Sequence, residues 1–397
     1  MRIVFITSKL NFVTSGASVT EFDLLIRTLI KQGVEVTVVT FFSQDNNIPE
    51  PLPYKVIEER VNARGLLQIQ WAIFRLLWKY GPRADFFHLD GHLFLYGAGL
   101  FRLLGGAVPI AAYFNRELSS WTENASELFV SKKEKFWKHL KQCARRFFEK
   151  NFLMPIGSQI DLISYSNPVL RQFYEDFGMR RGGEVMADPF DYRSLMKRYG
   201  VTEEFYTKRN KGDGVITLFY SSRMAPGKGF DLLLAAFAQV RDRASFRLIL
   251  GGDGPERSAI AQAIRNLGLE KLVELPGWVS KDELYGKYFK IADIFIQARW
   301  RRELTACVIL DAMSFGLPCI LPTGGGLAWV AGDAALTFRD GDIGDLARAI
   351  EELGRDATLR ARLSARGYAR LHTDEMSYEK ETARLIGRMS NRLPPSS

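Results

Sequence analysis

An alternation that runs through the chain and then starts again limits what it can fold into. Short apolar, β-branched runs, too brief for helices, alternate with stretches whose apolar residues recur every three or four positions. Residues 3–7 read as a buried parallel strand. A polar loop over 8–16 follows, then Val19, Phe22, Leu25, Ile26 and Leu29 at helical spacing, a stop at Gly33 and a second strand over 34–42. That is a βαβ unit, which requires a parallel sheet with right-handed crossovers. Further strands are predicted at 85–89, 109–114 and 161–165. The stretch 187–214 is proline-bearing, charged and weakly periodic, and the domain boundary is expected there. Beyond it the pattern begins anew, with strands at 215–220, 247–251, 273–275, 294–297 and 318–321. Helices are predicted between them at 231–240, 255–267, 281–288 and 305–315, and a last one at 343–353. The expected fold class is α/β, two doubly wound Rossmann-like sheets with a cleft between them. Ligands of such sheets sit beyond the carboxyl ends of the strands.

Composition removes the competing classes. The chain has 397 residues, which agrees with two to three domains at roughly 150 residues each. Hydrophobic residues make up 47% and charged residues 25%, which excludes a disordered, collagen-like or coiled-coil chain. The longest apolar runs, such as 217–220 and 246–252, fall far short of the roughly 20 residues that span a bilayer. Cys143, Cys307 and Cys319 form no CxxC pair, so a structural zinc site is not expected and a reducing compartment fits best. No secretory signal is visible at the start, and a cytoplasmic location is expected.

The signals that carry chemistry cluster in the second half. After the strand at 215–220, the loop Arg223-Met224-Ala225-Pro226-Gly227-Lys228-Gly229 sets two cations at the carboxyl edge of the sheet, suited to neutralising a diphosphate without a metal. Glu303 precedes a predicted helix start and Asp311 lies eight residues on, with the amides of Thr305, Ala306, Cys307 and Val308 between them. A helix N-terminus attracts phosphate. Hydroxyl acceptors at both ends and an anion site between them match a nucleotide diphosphate sugar. Each residue alone has a plainer reading: a surface ion pair for the cations, a helix-capping acid for Glu303, a solvated helix face for Asp311. The set, in this order, favours the ligand. Gly252, in Gly251-Gly252-Asp253-Gly254, reads equally as a ligand contact and as a tight strand-to-helix turn.

With these residues the chain resembles a retaining glycosyltransferase of family 4, with the GT-B fold, of the kind that assembles bacterial polysaccharides and glycans. The Arg-x4-Lys-Gly loop matches Arg223, Lys228 and Gly229, and the E-x7-E motif appears as Glu303 and Asp311, with Asp in the second place. The resemblance implies domains at 1–190 and 191–375, an acceptor-binding first domain, a nucleotide-sugar-binding second domain, and a helix within 376–397 returning to the first. It implies a UDP- or GDP-linked sugar as co-substrate, a glycan or lipid-linked acceptor, no cofactor and no required metal. The catalytic residues would be Arg223, Lys228 and Glu303. The donor would also meet Gly252, Thr305, Ala306, Cys307, Val308 and Asp311, and its base the backbone at Trp278 and Val279. In the first domain the family's loop with two glycines is Ser15-Gly16 here: Gly16 is kept, Ser15 replaces its neighbour, and the Gly16 amide is the expected donor contact, with a plain loop glycine as the alternative. Where many members carry a His after the strand at 110–114, this chain has Asn115, which hydrogen-bonds a sugar but cannot titrate. These two departures keep a degenerate scaffold open, and a nucleotide-sugar epimerase on the same fold is the other alternative.

His88, Asp90 and His92 are candidates for positioning an acceptor hydroxyl, with a core-edge histidine as the equal alternative. Asp340-Gly341-Asp342 precedes a helix, and Asp342 is expected to cap it rather than bind metal. Residues 131–150 hold eight Lys or Arg and two Glu, most of the chain's net +9, around Phe136, Trp137, Leu140, Phe147 and Phe148. An interfacial helix on an anionic membrane surface and an ordinary packed helix both fit. Nucleic acid is not an expected partner, because no recognition motif accompanies the charge.

Overall fold

The computed structural model describes residues 1–13, 17–63, 65–116, 118, 132–180, 182–209, 214–298 and 307–393. It divides into two units, Met1–Phe190 with Asp374–Ser397, and Asp191–Thr373.

The first unit is built on seven parallel strands: β1 (Arg2–Thr7), β2 (Glu35–Thr40), β3 (Lys55–Glu58), β4 (Phe86–Asp90), β5 (Ile110–Phe114), β6 (Leu162–Tyr165) and β7 (Glu184–Val185). They lie in the order β3-β2-β1-β4-β5-β6-β7. Strands form where the sequence is apolar on both faces: Ile3 to Ile6 are all buried in β1, as are Phe86 to Leu89 in β4. The order reverses between β1 and β4, so right-handed crossovers send α1 (Ala17–Lys31) to one face. They send α2 (Leu66–Tyr80), α3 (Leu95–Leu103) and α5 (Met154–Gly157) to the other. Neighbouring residues of β4 mark these faces. Phe86 joins Phe22, Leu25 and Leu29 of α1 in one core, while Phe87 meets Phe101 of α3 edge-on at 6.0 Å. Between β5 and β6, α4 (Lys132–Phe148) runs through a π-helical turn, Glu149–Leu153, into α5. After β6 comes α6 (Pro168–Asp176), started by Asn167, whose Oδ1 accepts from the Leu170 amide at 2.9 Å.

Helix α3 is wedged between its neighbours by its glycines. A Cβ on Gly97 would lie 2.3 Å from the Gln70 carbonyl oxygen of α2, and one on Gly99 1.9 Å from that of Ile156 in α5. The Gln70 side chain also caps α3, its Oε1 accepting from the Gly97 amide at 2.7 Å.

The second unit has six parallel strands: β8 (Ile216–Ser221), β9 (Phe246–Gly251), β10 (Val273–Gly277), β11 (Ile294–Ile296), β12 (Cys319–Pro322) and β13 (Ala335–Phe338). Their order is β10-β9-β8-β11-β12-β13, reversing between β8 and β11. Its helices begin with α7 (Tyr192–Tyr199) and α8 (Glu203–Arg209), in the stretch that reads as weakly periodic. Asp191 starts α7 by accepting from the Ser194 amide, and Gly200, at φ 68°, ends it. Both helices are too short for a visible period, and α8 is fixed by tertiary bonds: the Tyr206 hydroxyl donates to the Met313 carbonyl, and Arg209 donates to that of Phe315 at 2.8 Å. Next come α9 (Phe230–Gln239), α10 (Arg257–Asn266), then α11 (Lys281–Glu283) and α12 (Phe289–Ile291), joined by a π-helical turn at Leu284–Tyr288. The rest are α13 (Cys307–Ser314), α14 (Gly326–Ala331), α15 (Ile343–Arg355) and α16 (Ala357–Leu371). Asp342 caps α15, accepting from the Asp345 amide at 2.9 Å.

The last described helix, α17 (Tyr378–Ser390), belongs to the first unit. Its Leu385 and Met389 are buried in the core that α1 covers, and Gln32 donates to the Glu379 carbonyl at 3.1 Å. No helix among the described residues is long and apolar enough to cross a membrane.

Candidate functional site

In the second unit, Arg223 and Lys228 lie in the loop that leaves the carboxyl end of β8 for α9. This loop is stitched to those after β9 and β10 through the main chain. Ser222 N donates to Gly251 O at 3.2 Å, Met224 N to Asp253 O at 2.9 Å, and Gly252 N to Gly277 O at 2.7 Å. Left-handed backbone at Gly227 (φ 79°) and Gly229 (φ 78°) turns the loop into α9, and the Tyr220 hydroxyl holds the Lys228 carbonyl at 2.6 Å. Arg223 is exposed and Lys228 half-buried on the resulting edge. The same stitching explains Gly252: at φ 126°, a Cβ there would lie 1.9 Å from the Ser222 carbonyl oxygen. Of its two readings, the tight turn is sufficient. Gly251 is likewise closed in, by Val279 and Ser221, while Trp278 beside them is 71% exposed.

Across the reversal point, α13 follows β11. Its first residues, Cys307 and Val308, are half-buried, and Asp311 sits one turn in. Asp311 is half-buried rather than fully solvated. Its Oδ2 accepts from the Tyr285 hydroxyl at 3.1 Å, and burial pushes its carboxyl up to about 7, against the smaller opposing pull of Tyr285 and Lys281. Glu303, Thr305 and Ala306 lie outside the described residues, as does Gly16. Tyr285 carried no signal in the sequence, because its partner is 26 residues away on another element.

In the first unit a cavity of about 400 Å³ opens at the carboxyl ends of β1, β4 and β5. It is lined by Thr7, Lys9, Asp90, His92, Asn115 and Arg116, at the reversal between β1 and β4. Asp90 accepts from the Thr7 hydroxyl at 2.8 Å, and burial holds its carboxyl above the usual range, with Thr7 and Arg116 opposing. Burial also takes His92 down to about 4, so its imidazole is neutral at pH 7 and offers one donor and one acceptor. His88 stands apart from this group. It is buried, stacked on Phe5 at 4.4 Å, and driven down to about 3 by burial, which is the core alternative. The structure thus gathers Asp90, His92 and Asn115 around one cavity, and adds Thr7, Lys9 and Arg116. Residues that accept and donate hydrogen bonds around a cavity of this size, with two cations, suit a polyhydroxylated or anionic guest.

Comparison with known proteins places these observations. The family described as glycosyl transferases group 1 matches residues 201–370. The lipopolysaccharide core biosynthesis glycosyltransferase LpsE of Rhizobium meliloti is 30% identical over 259 residues, covering 64% of this chain and 70% of its own. The mannosylfructose-phosphate synthase of Agrobacterium fabrum is 28% identical over 178 residues, 42% of this chain, and the chain spans only 38% of that protein's length. Among solved structures, Anabaena HepE in complex with UDP superposes with a TM-score of 0.71 at 16% identity, over 98% of this chain and 100% of that one. At that identity the likeness concerns the fold.

Proposed function

The chain belongs to the glycosyl transferases of group 1, and from that premise we propose that it moves a sugar from a nucleotide diphosphate sugar to a glycan or lipid-linked acceptor, with retention at the anomeric carbon. The observation that carries the reading is the edge of the second sheet, where three stitched loops present Arg223 and Lys228 at the carboxyl end of β8, the strand paired with β11, after which comes the helix that bears Asp311. Negative charge grows on the leaving diphosphate in the transition state, and fixed cations stabilise it most there. Arg223 and Lys228 take that role without a metal, Glu303 holds hydroxyls of the sugar, and Asp311 those of the ribose. The amides from Thr305 to Val308 face the phosphates, and the base rests along Trp278 and Val279. Gly16 and Asn115 are assigned to the sugar, and Asp90 and His92 to the acceptor. The donor is UDP- or GDP-linked: HepE is solved in complex with UDP, and LpsE is named for lipopolysaccharide core synthesis. The product belongs to cell-surface polysaccharide assembly on the cytoplasmic side, with the basic segment 131–150 resting on an anionic membrane surface.

The test is product analysis with a panel of UDP- and GDP-sugars and an acceptor mixture, with and without EDTA. A new α-linked product from an α-linked donor, unchanged by the chelator, is expected. Epimerised donor in the absence of acceptor, or activity lost to EDTA and restored by a divalent ion, would overturn the reading.

A further inference from the structure

The large apolar side chains exposed on the first unit are concentrated on one helical layer. Of the fourteen exposed among the described residues, nine lie there: Leu67, Trp71 and Trp78 on α2, Leu103 and Leu104 at the end of α3, and four on α4 and its π-helical turn. Trp71 is 56% exposed and Trp78 47%. They belong to an aromatic ladder along α2, in which Trp71 stacks on Phe74 at 5.1 Å, and Trp78 meets Phe74 at 6.3 Å and Phe101 of α3 at 5.1 Å. The layer is continuous. Gly97 and Gly99 let α3 touch α2 on one side and α5 on the other, and the Tyr96 hydroxyl donates to Glu149, in the turn after α4, at 2.5 Å. On that turn and the end of α4, Phe148 and Phe152 stack at 5.1 Å while exposed to solvent.

Charge says what such a face meets. Residues 61–84 contain four basic side chains and no acidic one, and 131–150 contain eight and two. Together the two stretches hold an excess of ten positive charges, against nine for the whole chain, so the remainder of the molecule is close to neutral. Arg75, Lys79 and Arg83 stand exposed on and just beyond α2, and Lys141, Arg145 and Lys150 on α4 and its turn. Lys79 pairs with Glu59 at 2.5 Å, and α2 itself holds no acid; exposed tryptophans among such cations suit the headgroup region of an anionic bilayer, where an indole is half in hydrocarbon and half in water.

We propose that α2 and the end of α3 are the inserting part of a bilayer-docking surface, with Trp71 and Trp78 seated among anionic lipid headgroups. The basic helix α4 supplies the longer-range attraction, and to that extent the proposal rests on the membrane contact already proposed for residues 131–150. Attraction to charge falls away within a Debye length, so insertion of the aromatics is what holds the protein at physiological salt.

The experiment uses the full chain with vesicles of phosphatidylcholine, alone or mixed with phosphatidylglycerol, and with acyl chains brominated to quench indole emission. Quenching is expected with the anionic vesicles. Trp71→Phe and Trp78→Phe, which keep the rings, should each remove part of the quenched emission. The pair Trp71→Gln and Trp78→Gln should weaken partitioning by more than about tenfold with an unchanged circular dichroism spectrum. If bound wild type is not quenched, or if the quenched fraction survives both Phe variants, the proposal is wrong. If Lys141→Glu, Arg145→Glu and Lys150→Glu abolish binding while the Gln pair has no effect, the basic-helix reading stands and insertion through α2 falls. If wild type ignores anionic vesicles, both fall. Self-association in sedimentation that the Gln pair removes would make this face a contact between copies and overturn the proposal.

Discussion

Asp311→Asn and Tyr285→Phe, measured side by side, probe the electrostatics of the proposed ribose contact. Burial raises the Asp311 carboxyl from 3.8 to about 7, with Tyr285 and Lys281 opposing. An ionised carboxylate accepts from two ribose hydroxyls, whereas a protonated one loses part of that capacity. If the ionised form binds the donor, apparent affinity scales with its population. With a midpoint near 7, about nine-tenths is ionised at pH 8 and about one-tenth at pH 6. The Kd of UDP-glucose should therefore rise about tenfold from pH 8 to pH 6, and about tenfold again by pH 5. Tyr285→Phe deletes a hydrogen bond that favours the charged form, so the midpoint should move up and weaken binding at pH 7 more than at pH 9. Asp311→Asn should bind more weakly and show no such slope. Titration calorimetry from pH 5 to 9 measures all three, and UDP-glucose suits it because its diphosphate diester does not titrate in that range. Stability has the opposite sense. The folded value lies above the unfolded one, so the folded state binds the extra proton between about pH 4 and 7. This group's stabilising contribution is present below that window and lost as pH rises through 7. The wild-type melting temperature should fall across the window more than that of Asp311→Asn. A wild-type affinity flat from pH 5 to 8, or an Asn variant with the same slope, would refute the reasoning.

Two further changes test the second unit's edge. Lys228→Ala should reduce turnover more than tenfold, since a charge-assisted hydrogen bond to phosphate is typically worth ~1.5–3 kcal/mol. A steady-state rate within twofold of wild type would remove Lys228 from the mechanism. Gly252→Ala should destabilise the second unit and distort the stitched edge, because its Cβ would lie 1.9 Å from the Ser222 carbonyl oxygen at a left-handed φ of 126°. A denaturant midpoint equal to wild type would show that the loops separate more easily than their hydrogen bonds suggest.

The sequence exposes most of the scaffold and less of the site. Strands buried on both faces announce themselves by unbroken apolar runs, as β1, β8 and β9 do. Helix α1 shows its stripe because one face is buried and the other wet. Helix α2 keeps a buried stripe, Ile73, Leu76, Leu77 and Tyr80, but Trp71 and Trp78 on its outer side add apolar residues off that stripe and blur it. Helices α7 and α8 are too short for a period and are held by Tyr206 and Arg209 through contacts distant in sequence. At the site, the Arg223 and Lys228 loop is local and could be read directly. The Tyr285 to Asp311 bond and the burial of His88 depend on how separate elements pack, which no spacing encodes.

The membership of α17 in the first unit has a consequence during synthesis. The strand-and-helix body of that unit leaves the ribosome first, but Leu385 and Met389, which complete the core over α1, follow the intervening segment Asp191–Thr373. At roughly 5–20 residues per second, that segment delays them by about 10–40 s. Throughout that interval the apolar ground that α17 will cover stays open to water. The nascent chain thus carries a sticky half-built domain while a second one folds behind it, the period in which a holdase chaperone would engage the α1 face and in which loss of the last helix would be felt as aggregation.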